Sequence, residues 1–153
     1  MHIQPDTPYH EALAALALEI GLDPGDLAER EELVIDAVAV GFSARRHAGA
    51  QGIEMVCKVG PLPQPPSLSL LRLLLQANTL GFVTAGATLG LQHNADALVL
   101  ASLHPLNMPP VALARACRTL AETAAVWLLA IDQGLDQTDT AATEPQDFSR
   151  MTP

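Results

Sequence analysis

Ser67-Leu68-Ser69-Leu70-Leu71-Arg72-Leu73-Leu74-Leu75-Gln76-Ala77-Asn78, followed by Thr88-Leu89-Gly90-Leu91 and then by Ala97-Leu98-Val99-Leu100-Ala101-Ser102-Leu103, is the stretch on which the fold turns. Ser67 is a helix cap by type, and the leucines behind it predict a helix to about Asn78. Leucines at 68, 70, 71, 73, 74 and 75 make that helix apolar almost all round. Such a helix must be covered on more than one side. A sheet covers one side, and a two-fold copy of the chain is the simplest source of cover for the other. The two runs that follow read as strands. His93-Asn94-Ala95-Asp96 between them reads as a tight turn, because Asn and Asp tolerate the left-handed conformation.

Working towards the N-terminus, Gly60-Pro61-Leu62-Pro63-Gln64-Pro65-Pro66 forbids regular structure and reads as a stiff extended connector. Before it, Ile53, Met55, Cys57 and Val59 alternate with Glu54, Val56 and Lys58, as a strand does. His47 to Gly52 is a predicted turn. Residues 33–46 also follow a two-residue repeat, with Val34, Asp36, Val38, Val40, Phe42 and Ala44 on one side. The segment Asp23 to Glu32 carries five acids against one arginine and reads as a solvated turn, with at most one helical turn from Asp26. The first helix is announced by Thr7 as cap, Pro8 at the first helical position and Glu11 in the first turn. Tyr9, Leu13, Leu16 and Ile20 recur on one face, and Gly21 is its expected stop.

Towards the C-terminus, Pro110 opens a helix in which Leu113, Cys117, Leu120, Ala124, Trp127 and Ile131 form a sustained apolar stripe. Gly134 is its expected end. Residues 1–134 therefore read as one domain. Residues 135–153 turn polar and acidic and read as a disordered tail. The order helix, strands, helix, hairpin, helix excludes a doubly wound parallel sheet. It predicts an α+β fold, an antiparallel twisted sheet flanked by three helices.

The 153 residues carry 17 acids against 8 Lys and Arg, for a formal charge of −9. That excludes a basic face for nucleic acid and a polybasic membrane anchor. Apolar residues are 49% of the chain but aromatic ones only 3%, so the core is built from Leu, Ala and Val. The N-terminus lacks the pattern of a secretory signal, and the leucine-rich stretch is too short and interrupted to span a bilayer. These features predict a soluble cytoplasmic protein. Cys57 and Cys117 fall in apolar-periodic segments and read as buried free thiols.

Searched for chemistry, the sequence offers little. It has no phosphate-binding loop, dinucleotide fingerprint, nucleophile elbow or zinc-protease motif. Gly86-Ala87-Thr88-Leu89-Gly90 lacks the lysine and following helix that a phosphate site needs. His2, His10, His47, His93 and His104 form no ligand-spaced set, although His93 and His104 flank the hairpin. Asp36 and Glu54 are expected to face each other across strands as solvated acids. No catalytic residue, metal or cofactor is expected, and the profile suits a binding protein.

Residues Leu73-Leu74-Leu75-Gln76-Ala77-Asn78 then carry a resemblance, together with Thr84-Ala85-Gly86-Ala87-Thr88-Leu89-Gly90-Leu91, the strand Ala97 to Leu100, and a proline-marked step into a long helix with Trp127 near its end. In this order they resemble the class I chaperones of bacterial type III secretion, the CesT or Tir-chaperone family. The resemblance spans about residues 8–134 and implies an α-β-β-β-α-β-β-α fold and a homodimer. It implies a virulence-associated protein of the bacterial cytoplasm that does no chemistry. Its partner would be a secreted effector, held by its N-terminal chaperone-binding segment in extended form, soluble and competent for export. On this likeness Leu71, Leu74, Leu75 and Asn78 are assigned to the dimer interface. Leu13, Leu16 and Ile20, with Val38, Val40 and Phe42, are assigned to client contact, in a groove between the first helix and the sheet. The acidic surplus would suit a basic or neutral client. Two rivals stand beside this reading: a dimeric adaptor of the same fold acting outside secretion, and a small metabolite-binding domain or enzyme built around His93 and His104.

Overall fold

Two tight turns organise the N-terminal half of the sheet. Asp36 and Ala37 have φ of 47° and 69°, and Ala48 and Gly49 have φ of 49° and 82°. Positive φ at both central residues is what a two-residue hairpin turn requires, because it matches the right-handed twist of the strands. The stretch expected as one repeat over 33–46 is thus two strands, β1 (Glu32–Ile35) and β2 (Val38–His47). A two-residue turn inverts the phase of the repeat. Leu33 and Ile35 pair with Val40 and Val38 and share their side, so Val34 lies on the opposite side of the sheet from Val38, Val40 and Phe42 and not with them as expected. The second turn is also narrower than expected, since β2 runs to His47 and β3 (Ala50–Pro61) starts immediately after Gly49.

In this computed structural model residues 7–93 and 96–133 are described. The expected Gly134 stop, the tail 135–153 and the Asn94–Ala95 step lie outside them. The remaining elements are α1 (Thr7–Glu19), α2 (Pro24–Arg30), α3 (Leu68–Leu80), β4 (Thr88–Leu91), β5 (Ala97–Pro105) and α4 (Pro110–Asp132), with a single 3₁₀ turn at Phe82–Thr84. The fold is α+β, as expected, with one helix more than the three anticipated. The extra one is α2, in the acidic segment expected as a turn. Asp23 caps it, its Oδ1 accepting from the Gly25 and Asp26 N–H groups at 2.9 and 3.1 Å, and Leu27 pins it to the core. One buried leucine and one cap are too small a periodic signal to read in seven residues.

The five strands form one antiparallel sheet in the order β1-β2-β3-β5-β4. Helices α1 and α4 pack together, and α4 lies across β2, β3 and β5, while α3 packs by β4. The core between them holds Val40, Phe42, Ile53, Met55, Cys57 and Leu100 of the strands against Leu113, Cys117, Leu120, Ala124 and Trp127 of α4. The Trp127 indole donates to the Val83 carbonyl at 3.0 Å, which places its one polar atom. Helix α1 ends as expected at Gly21 (φ 77°). The Leu22 and Gly21 N–H groups donate to the Ala17 and Leu18 carbonyls, a Schellman closure. Gly52 is required by packing, since a Cβ there would sit 2.8 Å from the His104 carbonyl oxygen.

Both cysteines are buried free thiols, and the Cys117 thiol donates to the Met55 sulfur at 3.5 Å. Burial pushes Cys57 up to about 11 and Cys117 up to about 12, so neither is a thiolate at neutral pH. The Tyr9 hydroxyl is buried without a hydrogen-bond partner among the described residues. The Glu31 carboxylate lies close enough to act on its charge but outside hydrogen-bond geometry, and burial first, then Glu31, raises the phenol's pKa.

Candidate functional site

Among the described residues, apolar side chains are left uncovered at both edges of the sheet. At the β4 edge, α3 turns Leu70, Leu74 and Ala77 inward and leaves Leu68 and Leu75 exposed, Leu75 at 69%. A recess of about 340 Å³ runs between α3 and β4, lined chiefly by Leu71, Leu74, Leu75, Leu89, Leu91 and Leu98. Of the residues assigned to dimerisation, Leu71 and Leu75 face this recess openly, while Leu74 is mostly buried in its wall.

Asn78 has a further task within its own chain. Its Nδ2 donates to the Leu89 carbonyl at 2.9 Å and its Oδ1 accepts from the Leu89 N–H at 2.7 Å. The side-chain amide thus satisfies the outward polar groups of an edge strand at that residue, and β4 is closed to pairing there. Asn78→Ala is expected to leave both Leu89 groups bare in a part-buried site, at a cost of about 1–3 kcal/mol. Thermal unfolding measures that cost, and faster amide exchange at Leu89 locates it. Unchanged exchange would mean that another group holds the edge.

The β1 edge is different. Ile35 and Val38 close the two-residue turn, so they form a hydrogen-bonded pair, and bonding alternates to Leu33 with Val40. The Glu31 carbonyl, accepting from the Phe42 N–H at 2.8 Å, continues the same phase. The N–H and C=O groups of Glu32 and Val34 therefore point away from β2, on the outer strand of the sheet. Beside this edge lies a groove of about 560 Å³. Its apolar lining comes from the end of α1 (Ile20 and the following Leu22), from β1 (Leu33, Val34, Ile35) and from α4 (Val111, Ala114), with Arg115 and Arg118 on the α4 side. A second groove of about 580 Å³ continues past Leu22, Leu33 and Val34 to Asp23, Asp26, Arg30 and Glu32. Val34 is 61% exposed, and Leu22 and Val111 are exposed as well.

The residues assigned to client contact divide on this geometry. Ile20 lines the groove, and Val38 is partly buried. Leu13, Leu16 and Val40 have no exposed surface and Phe42 has little, so in the folded chain they are core. The expected groove between the first helix and the sheet is filled by α1 itself, and the open groove lies beyond its C-terminal end. Leu22, Val111 and the two arginines are what the residue patterns did not single out. The two-residue repeat puts Val34 in phase with Val38 and Val40, which the turn at Asp36–Ala37 overturns.

The expected acid pair does not form. Asp36 sits in the hairpin turn, and Glu54 accepts from Ser43 Oγ at 3.0 Å and from Arg45 Nε at 2.8 Å on the outer face of the sheet. His93 and His104 lie at opposite ends of the β4–β5 hairpin. His104 Nε2 is 2.9 Å from Ser102 Oγ beside a recess of about 300 Å³ that His93 does not reach. Among the described residues no group of His, Cys, Asp and Glu is arranged to hold a metal, and no helix is long and apolar enough to cross a membrane.

The fold is thus an antiparallel sheet with one edge held by α3 and the other open beside an apolar groove. The chain belongs to the Tir chaperone protein (CesT) family, whose profile matches residues 11–128. It is also similar to a chain in the solved structure of the HopA1–SchA chaperone–effector complex. The likeness has a TM-score of 0.63 over 84% of this chain and all of that one, at 16% identity, and is therefore one of fold. Comparison with curated proteins gives no match.

Proposed function

We propose that this chain is a type III secretion chaperone that works as a homodimer in the bacterial cytoplasm. It holds the N-terminal segment of a secreted effector extended, soluble and competent for export, and it carries out no chemistry. The observation that carries this reading is the unpaired edge of β1 beside a groove of exposed apolar side chains. An extended segment added to that edge pairs with the free groups of Glu32 and Val34 and sends alternate side chains into the groove. A client that is disordered before binding covers such a wide surface at modest net affinity, which suits later release. The α3 surface supports the dimer, because a second copy of the same leucines covers it isologously.

The test uses Val34→Pro. The Val34 N–H is not used in the β1–β2 ladder, and proline is tolerated on an edge strand, so the fold is kept while one donor to an added strand is removed. The tagged full-length chain is recovered from its host, with light scattering and limited proteolysis of the complex. A dimer that protects one protein's N-terminal region, with roughly five- to hundredfold weaker retention by Val34→Pro, is expected, since a buried donor lost from a ladder counts for about 1–3 kcal/mol. Equal retention by Val34→Pro overturns strand addition at β1. A monomer without a partner overturns the chaperone reading.

A further inference from the structure

The groove along β1 is electrically lopsided, which the net charge of the chain conceals. Its two halves share Leu22, Leu33 and Val34 as a continuous apolar floor. Beside Glu32, at the start of β1, the rim carries Asp23, Asp26 and Glu32 against the single Arg30. Beside Ile35, at its end, the rim carries Arg115 and Arg118 and no acid. Neither of those two arginines makes an ion pair among the described residues. Asp36 lies in the turn beyond Ile35, exposed, and does not line the groove. A strand laid along β1 therefore spans a step from positive to negative.

Resting on the reading above, we infer that this groove selects both the chemistry and the direction of its client. The occupant runs antiparallel to β1, with an acidic residue first, apolar residues opposite Ile35 and Leu33, and a basic residue after them. Antiparallel addition continues the pairing of the whole sheet and is the slightly more stable kind. It brings the client in at the Ile35 end and out at the Glu32 end. Residues that face the groove recur every second position. The recognised pattern is acid, x, apolar, x, apolar, x, base, where x faces the other side of the sheet. This differs from what the charge of −9 alone implies, which is attraction to any basic segment in either order. Complementary rim charges act on orientation and on rejection of wrong partners more than on raw affinity.

Two capped synthetic peptides of identical composition test it, one with the acid first and one with the base first, threonine at each x and valine or isoleucine at the apolar positions. Capping removes the terminal charges. Each is titrated into the isotopically labelled full-length chain, and the Glu32 and Val34 amide shifts are followed at low and high salt. The acid-first peptide is expected to bind roughly tenfold more tightly at low salt, with the difference shrinking at about 0.5 M salt. Arg115→Glu combined with Arg118→Glu makes both ends acidic and is expected to abolish the preference. Arg72→Glu, on the exposed side of α3, leaves it intact. Equal binding of the two peptides, or tighter binding of the base-first one, overturns the directional rule while leaving strand addition standing. If neither peptide moves the Val34 amide, the β1 groove is not a client site and the reading beneath this one falls too.

Discussion

Leu75→Glu is expected to convert the proposed dimer into a monomer. Leu75 stands 69% exposed on α3, on one face with Leu68 and Leu71, above a recess walled by Leu74, Leu89 and Leu91. In the isolated chain a carboxylate at so open a position changes stability by about 0.5 kcal/mol or less. In a symmetric interface the same carboxylate is buried twice, once from each copy, against leucine. An unpaired charge in such a setting costs several kcal/mol, and each 1.4 kcal/mol weakens association tenfold. The dimer dissociation constant is therefore expected to rise by at least about a hundredfold. Light scattering would read a mass near 16.1 kDa instead of twice that value, with the thermal unfolding of the monomer almost unchanged. A Leu75→Glu chain that stays dimeric would move the interface away from α3.

Leu16→Ala is expected to be strongly destabilising, and its damage should fall on folding. The side chain has no exposed surface and sits in the core with Tyr9 and Leu13. Removing it leaves a cavity and costs about 2–5 kcal/mol, a large part of the roughly 5–15 kcal/mol available to a domain. Leu18, two residues on and 67% exposed, is the internal control, because Leu18→Ala changes stability by only about 0.5 kcal/mol. Urea unfolding separates the two. Client capture by Leu16→Ala is expected to fall only in proportion to the unfolded fraction. Loss of capture by a fully folded Leu16→Ala chain would restore Leu16 to the binding surface.

Periodicity alone does not separate core from open surface on α1. Tyr9, Leu13, Leu16 and Ile20 share one helical stripe, and periodicity treats them alike. The first three lie under α4 and α2, whereas Ile20 projects past the end of the packed region into the groove. Val34, Val38, Val40 and Phe42 likewise share a two-residue repeat. The turn at Asp36–Ala37 reverses the chain within it, placing Val34 on the free edge and Val40 in the core. Asn78 shows the opposite case. Its place at the end of a leucine-rich helix was visible, but its pair of hydrogen bonds to Leu89 depends on β4 passing alongside.

The sequence by itself determined the α+β class, the first, third and fourth helices, the β4–β5 hairpin and the buried thiols. Each of these rests on local signals: caps, prolines, and apolar periods sustained over several turns or residues. Only the tertiary structure decided which apolar residues remain uncovered, which edge of the sheet stays open, and where Arg115 and Arg118 stand relative to Asp23 and Glu32. The physical reason is that periodicity records which side of an element is apolar. What covers that side, and which charges gather at its rim, depends on elements far away in the chain.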